Sequence, residues 1–445
     1  MLLPFGLGYY VSYVFRTANA VIATDLSRAL DIGPSDLGLL TSTYFLSFAL
    51  AQLPVGQALD RHGPKRVTAT LLVVAAVGAA VFAGGDNFTQ LAIGRGLIGL
   101  GVSACLMGGI KALGAAFSAE RQASVTGFIM AAGALGALTA STPLAALVQT
   151  TGFRGAMLVV GGIGLVAATA IALVPSRGLA RSPATPAVAA AKPTASGAEA
   201  GGAGEIRVIA GGLADGLARS SLTTLVHIFR ARAFWRYAPQ AALFTGGFMA
   251  LQGLWAGAWL REVEGHTRGG AAAVLFLFNL ALFAGQLTIA FVGGRFAAAG
   301  ISRRSLLIAG LLLALLGEGA IVLRGVFVCA AGCRPEAGVW SSASLLWILF
   351  GFGSAVSAQV YGVTAGDFPA ALSGRVTTAI NQLAFLGAFV VQWGLGAAIE
   401  GLAGSDPSER ARGFGRSFLV LWLLQVGAVA WSARRGRATP VTAAP

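Results

Sequence analysis

Long apolar runs broken by short polar ones set the frame of this 445-residue chain. Runs long enough to cross a bilayer fall near residues 4–25, 36–58, 67–85, 89–111, 122–148 and 153–174. Six more fall near 237–260, 271–292, 303–327, 340–362, 376–399 and 416–432. Backbone groups in lipid must find their hydrogen bonds within their own segment, so each run is predicted helical. The expected fold is an all-α membrane protein with twelve transmembrane helices in two pseudo-symmetric six-helix bundles. The expected domains are residues 1–175, a cytoplasmic linker over 176–236, a second bundle over 237–433, and a cytoplasmic tail over 434–445.

The interval between the bundles opens with a Pro-, Ala-, Gly- and Ser-rich stretch, the composition of a flexible linker. Its second part, LTTLVHIFRARAFWRY, is more periodic. It predicts an amphipathic surface helix, with Arg230, Arg232 and Arg236 toward headgroups and Phe229, Phe234 and Trp235 toward lipid. The bundles also repeat internally. Residues 117–138 align without gaps with 368–389, so that Phe117 matches Phe368 and Leu135-Gly136-Ala137 matches Leu386-Gly387-Ala388. Two related halves are what rocking about a central site requires.

Composition supports this frame. The chain is 56% apolar and only 11% charged, about half the charge of a soluble protein. The net charge of +14 is carried in loops, not on a basic domain, so nucleic acid is not an expected partner. Of the 31 Lys and Arg, 19 lie on the side that holds both termini, 9 on the other and three within spans. The excess predicts cytoplasmic termini and, as partner, the inner membrane bilayer. No charged leader precedes the first apolar run, the first basic residue being Arg16. Three cysteines make no disulfide framework; Cys329 and Cys333 either bridge locally or remain thiols. The three histidines sit in three different loops, so no metal site is suggested. With no nucleophile–base constellation near the spans, an enzyme is not expected, and no cofactor is implied.

The stretch GQALDRHGPKR, residues 56–66, turns between spans 2 and 3. Gly56, Asp60, Arg61, Gly63, Lys65 and Arg66 resemble the signature loop of the major facilitator superfamily of secondary transporters. The resemblance implies the twelve-helix major facilitator fold, alternating access and a monomer. In that loop Asp60 is expected to face Arg375 at the start of helix 11, and Arg61 to reach Glu120. Such charges would form a latch holding the halves together inside. The corresponding loop of the second half, GGRFAAAGISRR, lacks the Asp.

Three cations lie within spans, and each needs a reason, since each would cost roughly 2.5–3.5 kcal/mol at a helix centre. Tyr9, Tyr13 and Arg16 recur at helical spacing on one face. Tyrosine hydroxyls beside a guanidinium suit an anion gripped at two points. The stretch resembles helix 1 of the organophosphate/phosphate antiporters, with Tyr13, Arg16 and, one place off, Asn19. The companion Arg of that family is missing near Leu251 and Gln252. Lys111, Phe117, Glu120 and Arg121 are similar to a run of the anion:cation symporter branch, which implies anion contact for Lys111; the alternative is an anchor at the interface. Arg95, Gly99 and Gly101 resemble the superfamily's helix 4 motif, and close helix packing is their expected role.

The second half offers amides and aromatics. Gln252 and Trp255 share a face of span 7, Tyr361 lies on span 10 and Asn381 on span 11. These eight residues, Tyr13, Arg16, Asn19, Lys111, Gln252, Trp255, Tyr361 and Asn381, are the expected substrate contacts. The expected function is secondary transport of a small organic or inorganic anion by alternating access; a coupling proton or a counter-anion is the candidate further partner, and symport, antiport and uniport stay open. Glu318 is the deep carboxylate, but it lies on a peripheral helix. A receptor of the same fold, or an exporter of neutral or cationic compounds, is the alternative.

Overall fold

The structure is a computed structural model; it describes residues 1–117, 119–175, 226–330, 342–369, 372–402 and 407–434. The linker 176–225, Cys333 and the tail from 435 lie outside the described residues, as do the side chains of Glu120, Arg121 and Cys329. Nine helices among the described residues are each long and apolar enough to cross a membrane. Passes 1, 5 and 7 are built from shorter helices in series, which completes twelve.

Pass 1 runs as Leu2–Thr17 and Asn19–Leu30. Pass 2 is Pro34–His62 and pass 3 is Pro64–Gly84. Only Gly63 separates them, at φ +82°, a backbone state that a side chain would strain. Proline suits the first turn of the next helix, where its missing N–H has no bond to lose. Pass 4 is Phe88–Val102 and Cys105–Ala116. Pass 5 is Ala119–Thr139 and the start of Thr142–Leu173, which turns at Gly152 (φ +70°) into pass 6.

In the second half, pass 7 strings together Arg232–Gln240, Gly246–Ala250 and Ala256–Glu262. Wide π-type turns at Ala241–Thr245 and Leu251–Trp255 join them. Pass 8 is Arg268–Ala298, pass 9 Arg303–Ala330, pass 11 Ser373–Leu402 and pass 12 Pro407–Ala433. Pass 10 is Ser342–Ser354 and Gln359–Gly366, joined by a tight 3-10 turn. Large apolar side chains such as Leu3, Val166, Phe291, Leu316 and Phe327 face outward, as the lipid side of a bundle requires.

The predicted surface helix before pass 7 is corrected in part. Phe234 is fully buried, and Arg232–Gln240 is the start of pass 7 itself. Trp235 is half exposed and donates to the Phe229 carbonyl at 2.6 Å. Arg236 donates to the Arg434 carbonyl, and Arg304 reaches the carbonyls of Ser432, Ala433 and Arg434 at 2.9–3.1 Å. The unpaired carbonyls at the end of pass 12 draw these cations inward, away from headgroups.

The halves meet tightly at the end opposite the 56–66 loop. Asp25 of pass 1 forms an ion pair with Arg268 of pass 8. The Ser35 N–H donates to Glu400 at 2.9 Å, and Gln392 Nε2 donates to Thr41 at 2.7 Å. Passes 1 and 7 approach so closely that a Cβ on Gly257 would sit 2.1 Å from the Ala20 carbonyl oxygen. Small residues permit such approach between helices in lipid. Gly257→Val is therefore expected to pry passes 1 and 7 apart and to cost about 1–3 kcal/mol. A lowered thermal midpoint of the purified protein checks this, with Gly162→Val, where a Cβ meets nothing within 4 Å, as the unchanged control.

Candidate functional site

Between the halves lies a cavity of about 390 Å³, closed at one end by the contacts just described. Its wall holds Tyr9, Tyr13, Arg16 and Gln52 from the first half, and Gln252, Gln286, Tyr361 and Asn381 from the second. Met107 and Ile110 carry it along pass 4 toward the 56–66 loop. Its size and mixture of apolar wall with few polar groups are those of a small-molecule site.

Arg16 is the charged side chain among the described lining residues. Its guanidinium lies flat over the Tyr13 ring, 3.6 Å from the centroid, and Tyr13 packs edge-on against Tyr9 at 5.1 Å. Stacking on a ring attracts a cation without consuming its in-plane N–H groups. Arg16 Nε is buried with no hydrogen-bond partner, and no carboxylate among the described residues is in ion-pair range. The second half faces it with amides. Gln252 Nε2 donates to Asn279 at 2.7 Å, leaving its Oε1 buried and unpaired. Asn381 donates across the halves to Gln52 at 3.3 Å, leaving Gln52 Nε2 unpaired. One turn above, the rings of Phe48 and Phe385 stack at 3.9 Å.

Five of the eight expected contacts converge on this cavity: Tyr13, Arg16, Gln252, Tyr361 and Asn381. Three do not. Asn19 is buried at the break in pass 1, outside the lining. Lys111 lies at the far end of pass 4, where its ammonium pairs with Asp60 and donates to the Leu59 carbonyl at 3.0 Å. A flexible ammonium near a helix end reaches the polar interface rather than the core. Trp255 is buried on the other side of the seal, lining a second pocket of about 630 Å³ with Arg28, Glu262, Glu400 and Arg410. Its indole donates to the Gln392 carbonyl at 2.9 Å. The wide turn 251–255 explains the miss: more residues per turn rotate position i+3 off the face that ordinary helical spacing assigns it.

The loop residues are also rearranged. Asp60 is taken by Lys111 of its own half, not by Arg375. Lys65 donates to the Val174 carbonyl at the end of pass 6, while Arg61 and Arg66 are exposed. The Arg61–Glu120 contact falls on a side chain outside the described residues. Arg95 is fully buried; it donates to the Phe15 carbonyl at 3.2 Å and lies over the Tyr44 ring at 5.2 Å. Gly99 and Gly101 let pass 4 press on passes 2 and 3, where a Cβ would meet the Tyr44 oxygen at 2.2 Å and the Ala75 nitrogen at 2.3 Å. Glu318 is buried away from the cavity, and Gln425 of pass 12 donates its amide to both carboxylate oxygens, at 2.6 and 3.0 Å. Sequence reasoning missed Phe48 and Gln52, although Thr41, Phe45, Phe48 and Gln52 form a helical stripe on pass 2.

Two six-helix halves around a central cavity sealed at one end define a membrane transporter, not an enzyme. The family model described as Major Facilitator Superfamily matches residues 5–391, and the chain belongs to that superfamily. Among relatives, a stretch is 28% identical over 157 residues to a probable L-galactonate transporter of Escherichia coli strain K12, covering 35% of this chain and 34% of that protein. A galacturonate transporter of Dickeya chrysanthemi is 25% identical over 160 residues, covering 36% and 46%. A hexuronate transporter of Escherichia coli strain K12 is 26% identical over 166 residues, covering 37% and 38%. The matched stretch thus spans about a third to just under half of each relative. The structure of a D-xylose-proton symporter superposes with a TM-score of 0.71 at 13% identity, covering 97% of this chain and 96% of that one. A bacterial homolog of the human lysosomal transporter Spinster gives 0.68 at 16% identity, covering 97% and 95%.

The buried Arg95 and the exposed Lys111–Asp60 pair separate by stability. Arg95→Met strands the Phe15 carbonyl in the core and is expected to cost about 1–3 kcal/mol. Asp60→Asn breaks a largely exposed pair and is expected to cost ~1 kcal/mol or less. Thermal unfolding of the two variants side by side checks the order.

Proposed function

We propose that this chain carries a small monoanionic, hydroxyl-bearing carboxylate of the sugar-acid class across the inner membrane by alternating access. The observation that carries the reading is Arg16: a half-buried cation in the wall of a cavity sealed at one end, its Nε buried and unpaired, without a carboxylate partner among the described residues. Taking a charge out of water is costly unless something of opposite sign is supplied. A carboxylate supplies it, with two oxygens that match the guanidinium edge. The tyrosines hold that edge toward the space between the halves, and Tyr13 and Tyr361 offer hydroxyls beside it. Amides at Gln52, Gln252, Gln286 and Asn381 suit the hydroxyls of a polar body, because each carries both donor and acceptor. The relatives that handle galactonate, galacturonate and hexuronate support the class.

The basic 56–66 loop supports a cytoplasmic location for its end of the protein and for the two termini. With the opposite end sealed and the cavity extending toward this loop, the conformation corresponds to the inward-facing limb of the cycle. Rocking about the contact of passes 2 and 11 would exchange the seal from one end to the other. Lys111 is engaged with Asp60 of the 56–66 loop, not with the solute.

The test is a thermal-shift panel on the purified protein with galacturonate, galactonate, phosphate, nitrate, neutral sugars and lipophilic cations, followed by uptake into proteoliposomes. A ligand that binds the folded state must raise its melting temperature. Sugar acids are expected to stabilise, and Arg16→Gln to weaken their binding roughly 10–100-fold, as loss of a charged hydrogen bond implies. Lys111→Met is expected to change it by less than about threefold. Stabilisation by neutral or cationic solutes alone, indifferent to Arg16, overturns the reading.

A further inference from the structure

Glu264 and His266 lie in the short turn from pass 7 to pass 8, at the sealed end. Both are buried, 8% and 5% exposed. Glu264 Oε1 accepts from the indoles of Trp259 at 3.0 Å and Trp347 at 3.1 Å. Its Oε2 faces His266 Nε2 at 3.3 Å. Trp347 comes from pass 10, and Trp259 packs on Phe418 of pass 12 with ring centroids 4.6 Å apart. A Cβ on Gly325 of pass 9 would meet the same Trp259 ring at 2.3 Å. One carboxylate thus gathers passes 7, 9, 10 and 12 beneath the turn. Gly265 sets the turn at φ +70°, and the His266 N–H donates to the Leu260 carbonyl at 2.9 Å. Two residues further on, Arg268 makes the ion pair with Asp25 that joins the halves.

His266 Nδ1 is buried without a partner. With the imidazole neutral and its proton on Nε2, Nδ1 is an unpaired acceptor. A second proton gains the charge of Glu264 but turns Nδ1 into a buried donor with nothing to receive it, the arrangement buried polar groups avoid. The turn must shift for Nδ1–H to find water. Other charges on the packed elements are few. Pass 10 has none between Ser342 and Gly366. Arg261 and the exposed Glu262 end pass 7, Arg324 precedes Gly325 on pass 9, Asp25 and the exposed Arg28 end pass 1, and the exposed Glu409 with Arg410, Arg412 and Arg416 lie in the first turns of pass 12. Histidine is the side chain whose ordinary titration falls near neutral pH.

We propose that the Glu264–His266 pair is a proton-binding site that sets the Asp25–Arg268 closure. Proton uptake releases the turn, draws Arg268 from Asp25 and opens this end; proton loss lets it close. The site is separate from the Arg16 cavity, and its chemistry supplies a coupling proton that no carboxylate among the described lining residues of that cavity provides.

The experiment measures distances between spin labels at Ala29→Cys and Gly269→Cys, both exposed on opposite halves at the sealed end, in the full chain with Cys329→Ser and Cys333→Ser. Lowering pH from about 8 to about 5, a span that brackets the imidazole range, is expected to raise the long-distance population roughly threefold or more. His266→Gln and Glu264→Gln are expected to remove that response. Asp25→Asn should give the long distance at both pH values, which shows that the labels report this closure. An unchanged distribution in the native chain overturns the proposal, as does a pH response that persists in His266→Gln, or an Asp25→Asn variant indistinguishable from native. No substrate is needed, so failure here is distinguishable from failure of the anion reading.

Discussion

A cation held in an apolar bundle without its counter-charge constrains everything around it. Arg16 and Arg95 are both surrounded by aromatic rings, yet they are treated differently. Arg95 is completed by protein: the carbonyl of Phe15, at the break in pass 1, takes its N–H. Its work is finished when the chain has folded. Arg16 has a ring beneath it, an unpaired Nε and open space in front. Pass 4 thus braces pass 1 at the residue next to Arg16.

The seal is built mostly of backbone proximity and neutral hydrogen bonds. Passes 2 and 11 meet along a ladder from Thr41–Gln392 through Phe48–Phe385 to Gln52–Asn381. Of its two hydrogen bonds the upper is short, at 2.7 Å; the lower is longer, at 3.3 Å, and borders the cavity. A contact that weakens toward one end suits two rigid bodies that pivot, since the halves part at the weak end with little disturbance of the strong one.

Much of the architecture was legible in the sequence because it depends on short-range rules. Span length, the six-plus-six pattern and the Gly63-Pro64 turn follow from hydropathy and backbone sterics. Tyr13 and Arg16 were legible as a pair because they share an undistorted helix. Lys111 and Asp60 were each noticed, but their pairing joins residues 51 apart, and spacing within a helix does not specify depth or partner. Phe234 was assigned to lipid because its helix looked free; the end of pass 12, which packs on that helix, is nearly 200 residues away. The Glu264–His266 pair was overlooked because a loop was assumed to be wet. Two tryptophans from different passes make it dry, and one of them, Trp347, lies 83 residues further along the chain.

The wide turn at Leu251–Trp255 puts Gln252 on the cavity side of the seal and Trp255 on the other. The barrier between the two compartments is therefore, at this point, one turn of backbone thick. Such a turn has a lower-energy neighbour in the ordinary α-helix, reached by sliding one hydrogen-bond register. Sliding would rotate the amide and the indole together, in opposite senses as seen from the two compartments. Pass 7 thus presents one turn to both chambers at once, so that a change of register here would alter the walls of both together.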